Sequence, residues 1–338
     1  MAVRLKDIAA DLGVSTVTVS KVLRGNADIG AATRARVLER MRELNYQPNM
    51  LARALASGQS FAVGLVVPDL VHPFFAEFAR SLSGRLRAGG YALVLASSEE
   101  DPEIERSEIR TLLNRGMDAI LVASCQPRTM ETPLVTDGKT PLLLIDRRLD
   151  AMPASFVGSD DVRVGEVATA HLIEIGRRRI AHIGGMGTSP SVDRLAGYLG
   201  ALAAAGIEVP KNFVVTRERF EESGDVAGYQ AMQELLGRKR RPDAVFCYND
   251  LSAIGAMQAA MDAGLSVPGH IAFVGCGNLR YAPYLRVPLS SIDHSTGEMG
   301  VTAARLAIAL STGPAREPQV TLLQPKLVVR ASSVAQPV

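Results

Sequence analysis

The chain has 338 residues, 37 Lys and Arg against 35 Asp and Glu, and 47% hydrophobic residues. That length exceeds one ordinary domain of about 100–200 residues, and no apolar run reaches the roughly 18 residues that a membrane helix needs. The start, Met1-Ala2-Val3-Arg4-Leu5, lacks the apolar stretch of a secretory signal, so the expectation is a cytoplasmic protein of two or three domains.

Charge is uneven along the chain. Through Gln59 there are nine Lys and Arg against five acids, and the remainder holds 28 against 30. The basic surplus sits in the N-terminal sixth, where phosphate neutralisation would need it. Leu5, Ile8, Ala9 and Leu12 recur at helical spacing and predict a first helix with one apolar stripe. Gly13 follows where an abrupt helix end favours positive φ. Ser15 is placed to cap a second helix in which Val19, Val22 and Leu23 face inward and Thr16, Val17, Ser20 and Lys21 face out. Two short helices about such a turn read as a helix-turn-helix, against the plainer alternative of a small helical hairpin.

A third helix, about 32–44, is expected to bury Val37, Leu38, Met41 and Leu44 and to show Arg34, Arg36, Arg40 and Arg42. Asn45-Tyr46-Gln47-Pro48 stops it. Residues 49–56 prefer helix but make only two turns, too few to stand alone in water. From Phe61 the pattern changes. Apolar strands are predicted at 62–67, 92–96, 119–122, 142–145, 155–157, 180–183, 244–248 and 271–274. Helices alternate with them near 74–88, 103–115, 163–175, 195–205, 225–236, 251–263 and 296–310. Alternation of this kind makes parallel sheets covered by helices. Ligands then bind beyond the carboxyl ends of the strands, which directs attention to Asp69 to Phe75, Ser124, Asp146 with Arg147, Asp160 with Asp161, Asn249 with Asp250, and Asn278.

No nucleophile, base or metal cluster with supporting spacing stands out. His72, His171, His182, His270 and His294 are scattered, and the widely spaced Cys125, Cys247 and Cys276 read as buried thiols. Gly184-Gly185-Met186-Gly187 lacks the Lys-Ser/Thr of a phosphate loop and reads as a strand-end turn. Asp146 and Asp160 suit either acid/base work or the binding of a hydroxyl-rich ligand. No cofactor or metal is expected.

The segments Lys6-Asp7-Ile8-Ala9, Thr18-Val19-Ser20-Lys21-Val22-Leu23, Gly64-Leu65-Val66-Val67-Pro68-Asp69, Arg194-Leu195-Ala196-Gly197-Tyr198 and Asn249-Asp250-Leu251-Ser252-Ala253 occur in an order and spacing that resemble the lactose-repressor family of transcription regulators. The resemblance runs nearly end to end. It implies a helix-turn-helix headpiece (1–47), a hinge (48–59) and a two-lobed, periplasmic-binding-protein-like core of parallel sheets (60–338). The N-lobe would span about 60–157 plus 294–320 and the C-lobe about 161–290 plus 321–330. It further implies a homodimer, without a tetramerising tail, that reads two halves of a near-palindromic operator in double-stranded DNA. A small polar effector related to carbohydrate would sit between the lobes. A solute-binding module and an enzyme on the same scaffold are the competing classes.

By position in the family, Ser15, Thr16, Val17, Ser20 and Lys21 are expected to face DNA. Val17 suits a thymine methyl and Lys21 a guanine edge or a phosphate. Asn45 and Asn49 resemble backbone-contacting positions, and Leu55 the leucine that wedges into the minor groove. Phe74, Phe75, Ser124, Asp146, Asp160, Arg194 and Asn249 occupy effector positions, with Asn278 and His294 beside them. Two departures matter. Cys276-Gly277-Asn278 stands where the family usually has an aromatic residue and then Asp, and the chain has no Trp. Those changes admit a sugar acid or a phosphosugar as effector.

Overall fold

A computed structural model describes residues 3–23, 26, 28–46, 54, 57–129, 134–185, 187–210, 212–216, 224–313 and 317–334. The expectations at Asn49 and Leu55 lie outside the described residues. Two units, 1–60 and 61–338, are distinguished.

The first unit holds α1 (Leu5–Leu12), α2 (Thr16–Leu23) and α3 (Ala31–Glu43). Asp7 accepts the Arg4 backbone N–H at 2.8 Å, which fixes the start of α1. Gly13, at φ 62°, lets Val14 N–H return to the Ala9 carbonyl and end it. The Thr18 backbone N–H donates to Ser15 Oγ at 3.0 Å, the cap expected for α2. Ile8, Ala9, Val19, Val22, Val37 and Met41 form the core. Leu23 and Leu38, expected inside, are each 37% exposed. Each lies about 100° around its helix from a neighbour, Val22 or Val37, that already fills this small core.

The second unit carries two six-stranded sheets. The first comprises β1 (Ala62–Val67), β2 (Ala92–Ser97), β3 (Ala119–Val122), β4 (Leu142–Ile145), β5 (Ser155–Ser159) and β11 (Val320–Leu323), in the order β11-β5-β4-β3-β1-β2. All its neighbours are parallel. Helices α4 (Pro73–Ala88) and α10 (Thr296–Thr312) pack on one face of it, and α5 (Pro102–Asn114) on the other. The second comprises β6 (Ile180–Ile183), β7 (Val214–Val215), β8 (Ala244–Cys247), β9 (Ala272–Cys276), β10 (Ser290–Asp293) and β12 (Lys326–Val328), in the order β12-β10-β9-β8-β6-β7. Only β12 runs antiparallel to its neighbour. Its helices are α6 (Asp161–Glu174) and α7 (Ser189–Ala204) on one face, α8 (Gly224–Leu236) and α9 (Asp250–Asp262) on the other.

The chain therefore passes between sheets three times, after β5, after β10 and after β11. Val320–Leu323 pairs with Phe156–Ser159, so the third passage follows Leu323 rather than residue 320. Strands β7, β10, β11 and β12 were not predicted. They are two to four residues long, and β10 begins Ser290-Ser291, which reads as loop. Only the β9 and β12 ladders decide that β10 is a strand.

Candidate functional site

On α2, Thr16, Val17, Ser20 and Lys21 share one face, as positions i, i+1, i+4 and i+5 must. Val17 is 58% exposed, so its side chain is open to contact from outside the unit. Ser15 Oγ is committed to the α2 cap and to Thr18 Oγ1 at 2.9 Å. The α3 arginines are engaged within the unit. Arg40 bonds Asp11 and Glu43, Arg42 bonds Glu39, and Arg36 donates to the Leu12 carbonyl. Asn45, at φ 46°, ends α3, and the following Tyr46 N–H returns to the Met41 carbonyl.

In the second unit the carboxyl ends of strands from both sheets enclose a cavity of about 130 Å³. One water needs about 10–15 Å³ on this measure, so the space suits a ligand the size of on the order of ten waters. Phe74, Phe75, Asp146, Arg194, Asn249 and His294 all line it. Arg194 is its centre. The guanidinium donates to Asp161 Oδ1 at 2.8 Å and to the Tyr248 carbonyl at 2.7 Å, and it lies 4.8 Å from the Tyr248 ring centroid. Asn249 caps α9 by accepting the Ser252 N–H at 2.8 Å. That turns its amide nitrogen toward His72 Nε2, 3.4 Å away across the cavity.

Helix packing puts Arg194 there. A Cβ on Gly165 would stand 2.1 Å from the Arg194 carbonyl, and one on Gly197 would stand 2.0 Å from the Val162 carbonyl. Two glycines thus let α6 and α7 touch backbone to backbone, which brings Asp161 at the start of α6 against Arg194.

Burial sets the protonation states. His294 is held well below the ordinary histidine range by desolvation and by Arg194. Its Nε2 faces donors on both sides, Arg194 Nη2 at 3.5 Å and the Cys276 thiol at 3.1 Å, which assigns the proton to Nδ1. That Nδ1 is buried and has no hydrogen-bond partner among the described residues. Desolvation likewise lowers His72 to about 4. Burial raises Asp146, against the pull of Arg194 and Arg147, and raises Asp250 to about 6. Both cavity arginines are matched by protein carboxylates. Arg147 makes two 3.1 Å bonds to Glu100, and Arg194 has Asp161. Asp146 is left with Arg147 Nε at 4.0 Å as its ion-pair contact.

Two family models match: the lacI family of bacterial regulatory proteins over residues 4–49, and a periplasmic binding protein-like domain over 169–333. The chain is 32% identical over 331 residues to the ribose operon repressor of Escherichia coli (strain K12), covering 97% of this chain and 99% of that one. It belongs to the lacI family of bacterial regulatory proteins. Another lacI-family relative, the transcriptional regulator GalR of Escherichia coli (strain K12), is 34% identical over 334 residues, covering 98% of this chain and 96% of that one. Similar solved structures include the lac repressor dimer bound to operator and the anti-inducer ONPF, with TM-score 0.82, 25% identity and coverage of 99% and 100%. The regulator CelR in complex with cellobiose has TM-score 0.74, 31% identity and coverage of 98% and 100%. As a lacI-family protein the chain is a DNA-binding transcription regulator rather than an enzyme.

Three of the expected effector residues of this lacI-family core lie elsewhere. Ser124 is fully buried and donates to Glu105 Oε1 at 2.9 Å; Glu105 also takes the Cys125 N–H and the Gln126 amide, so it shapes the turn after β3. Asp160 caps α6 through the Arg163 N–H at 3.1 Å. Asn278 bonds Arg330 at 2.6 Å and lines a separate shallow cleft. Conversely, Asp69, His72, Glu100, Arg147, Tyr248, Asp250 and Cys276 line the cavity. The rule that ligands bind beyond strand ends pointed at four of these, Asp69, His72, Arg147 and Asp250. Glu100 had no signal of its own, since only tertiary packing pairs it with Arg147.

Proposed function

We propose that this repressor reads each half of a near-palindromic operator through Thr16, Val17, Ser20 and Lys21. In this reading Ser15, Asn45 and Asn49 lie near the DNA backbone, and Leu55 wedges into the minor groove. A small effector occupies the cavity between the lobes against Phe74, Phe75, Asp146, Arg194, Asn249 and His294. Its binding changes the lobe arrangement and so the affinity for operator. The protein works in the cytoplasm, where its DNA is.

The observation that carries the effector half is the state of the cavity charges. With Arg147 and Arg194 matched by Glu100 and Asp161, and Asp146 still seeking donors, the site favours a neutral, hydroxyl-rich molecule over a sugar acid or phosphosugar. The names of the relatives, a ribose operon repressor and a cellobiose-bound regulator, support the same class. A thermal-shift screen over neutral sugars, sugar acids, phosphosugars and nucleobases tests it. A true effector at 100 times its Kd adds about 2.7 kcal/mol, and a larger response to anions than to neutral sugars refutes the charge argument. For the DNA half, operator fragments recovered from genomic DNA should bind with affinity falling steeply as salt rises. Leu55→Ala should weaken operator binding far more than random-duplex binding, and equal losses remove the wedge.

A further inference from the structure

The parallel strands of the second sheet turn their carboxyl ends to the cavity, so their amino ends lie at the opposite end of that lobe. Two basic runs meet there. Arg177-Arg178-Arg179 leads into β6, and Arg238-Lys239-Arg240-Arg241 leads toward β8. The parallel pairing of β6 with β8 sets the runs side by side. Arg179 Nε donates to the Arg241 carbonyl at 3.0 Å, and the Asp243 N–H donates to the Arg179 carbonyl at 2.9 Å.

Few of these charges are matched by carboxylates. Arg238 is paired with Glu234, and Arg179 with Asp243 at 3.6 Å. Arg177 donates instead to the Pro268 and Gly269 carbonyls, Arg178 to those of Ile173 and Arg177, and Arg241 to that of Leu236. Bonds to neutral carbonyls hold a guanidinium in place and leave its charge intact. Lys239 and Arg240 are exposed and have no partner among the described residues. Arg177, Arg178, Lys239, Arg240 and Arg241 thus stand unmatched in a chain whose formal net charge is only +2, with Glu174 the other carboxylate of these segments.

We propose that this surface is a second, sequence-independent nucleic-acid site, which takes the phosphate backbone of a duplex other than the one bound by the headpiece. Arginine supplies most of the charge, and its planar fork matches phosphate geometry. No exposed large apolar side chain falls within 173–179 or 234–243. A protein partner needs an apolar or aromatic anchor at the centre of its interface, whereas a phosphate backbone needs charge alone. Both runs lie between elements rather than on a helix that could enter a groove, so the contact is to backbone and blind to sequence. The regulator then holds one duplex by its headpiece and touches another by its core.

The test saturates the full-length protein with an unlabelled duplex selected by it from a random library, then adds a labelled random duplex and follows fluorescence anisotropy. Specific binding is about 10³-fold or more tighter than non-specific binding, so the label does not displace the first duplex. The second duplex should bind with a Kd on the order of 10 µM at about 0.1 M salt, with a log–log salt slope of about −4 to −5. Lys239→Gln combined with Arg240→Gln should weaken that binding about tenfold or more and reduce the slope by about two. Affinity for the selected duplex and thermal unfolding should stay unchanged. Failure of the saturated protein to take up labelled duplex overturns the proposal. So does uptake that the double variant leaves unaffected, which would put the second duplex on the headpiece. Polyglutamate, or vesicles of equal parts phosphatidylcholine and phosphatidylglycerol, binding more tightly than the duplex and with the same sensitivity to the double variant would overturn it in favour of an acidic protein or a membrane.

Discussion

Arg194 shows how one residue serves both fold and site. Its charge is 95% removed from water and matched by Asp161, buried to the same degree. Deleting one partner of a buried pair strands the other, at about 3–5 kcal/mol. Arg194→Ala should therefore lower stability by that amount in chemical denaturation. Arg194→Lys should stay folded yet lose effector-induced stabilisation, because an ammonium cannot reproduce the planar fork. His182 acts only on stability. It is sandwiched between Tyr198 and Phe246, has its Nδ1 3.0 Å from the Phe246 carbonyl, and is held by burial at about 4. An unfolded histidine takes up its proton near 6.5, so the unfolded chain binds more protons between pH 6.5 and 4, and stability is full above 6.5 and falls as pH drops. Asp250, raised to about 6, works in the opposite direction, its contribution being lost as pH rises through that value. Subtracting the pH–stability curve of His182→Gln from that of the wild type isolates the histidine, whose share should be on the order of 3 kcal/mol.

Elements position these residues through contacts that have no chemistry of their own. Helices α6 and α7 approach so closely at Gly165 and Gly197 that an added methyl at Gly197 meets the Val162 carbonyl. Gly197→Ala should cost about 2–4 kcal/mol by forcing the helices apart. Gly200 lies on the same helix with nothing within 4 Å of an added Cβ. There the same change should be neutral or stabilising by about 0.5–1 kcal/mol, since alanine restricts the unfolded chain more than glycine. Paired thermal unfolding of the two variants separates close packing from helix propensity.

Across the whole core, bonds tie one lobe to the other beside the cavity. Asp193 on α7 holds Arg128 and, at 2.6 Å, Arg148, both of the first lobe. Ser189 Oγ takes the Arg148 backbone N–H at 2.6 Å, and Arg128 N–H reaches the Gly187 carbonyl at 3.0 Å. Asp193 and Arg194 are adjacent, so one helix turn carries both a contact between lobes and a residue that lines the cavity. Asp193→Asn should destabilise the core by about 1–3 kcal/mol. It should also weaken effector binding about five- to fiftyfold, because the lobe arrangement that encloses the ligand is less favoured. Isothermal titration with the effector from the thermal screen measures this, and unchanged affinity would show that the bridges only add stability.

The sequence by itself determined the elements whose signal is local. The three headpiece helices, the Ser15 cap, the Gly13 stop and the long apolar strands of both sheets follow from spacing of apolar residues and from turn chemistry. Strands β7, β10, β11 and β12 were invisible because they are two to four residues long, too short to show a repeating pattern, and are held by hydrogen bonds to neighbours distant in sequence. Among site residues, a strand-end position was readable, but whether its side chain faces the cavity or caps a helix was not. Ser124 and Asp160 sit at such ends and satisfy Glu105 and α6 instead. The pairing of Arg147 with Glu100 and of Lys21 with Asp28 joins residues 47 and 7 positions apart. Composition supplied those charges, and only the tertiary fold decided which were matched within the protein and which remained for DNA or ligand, since electrostatic partnership depends on distances that sequence order does not set.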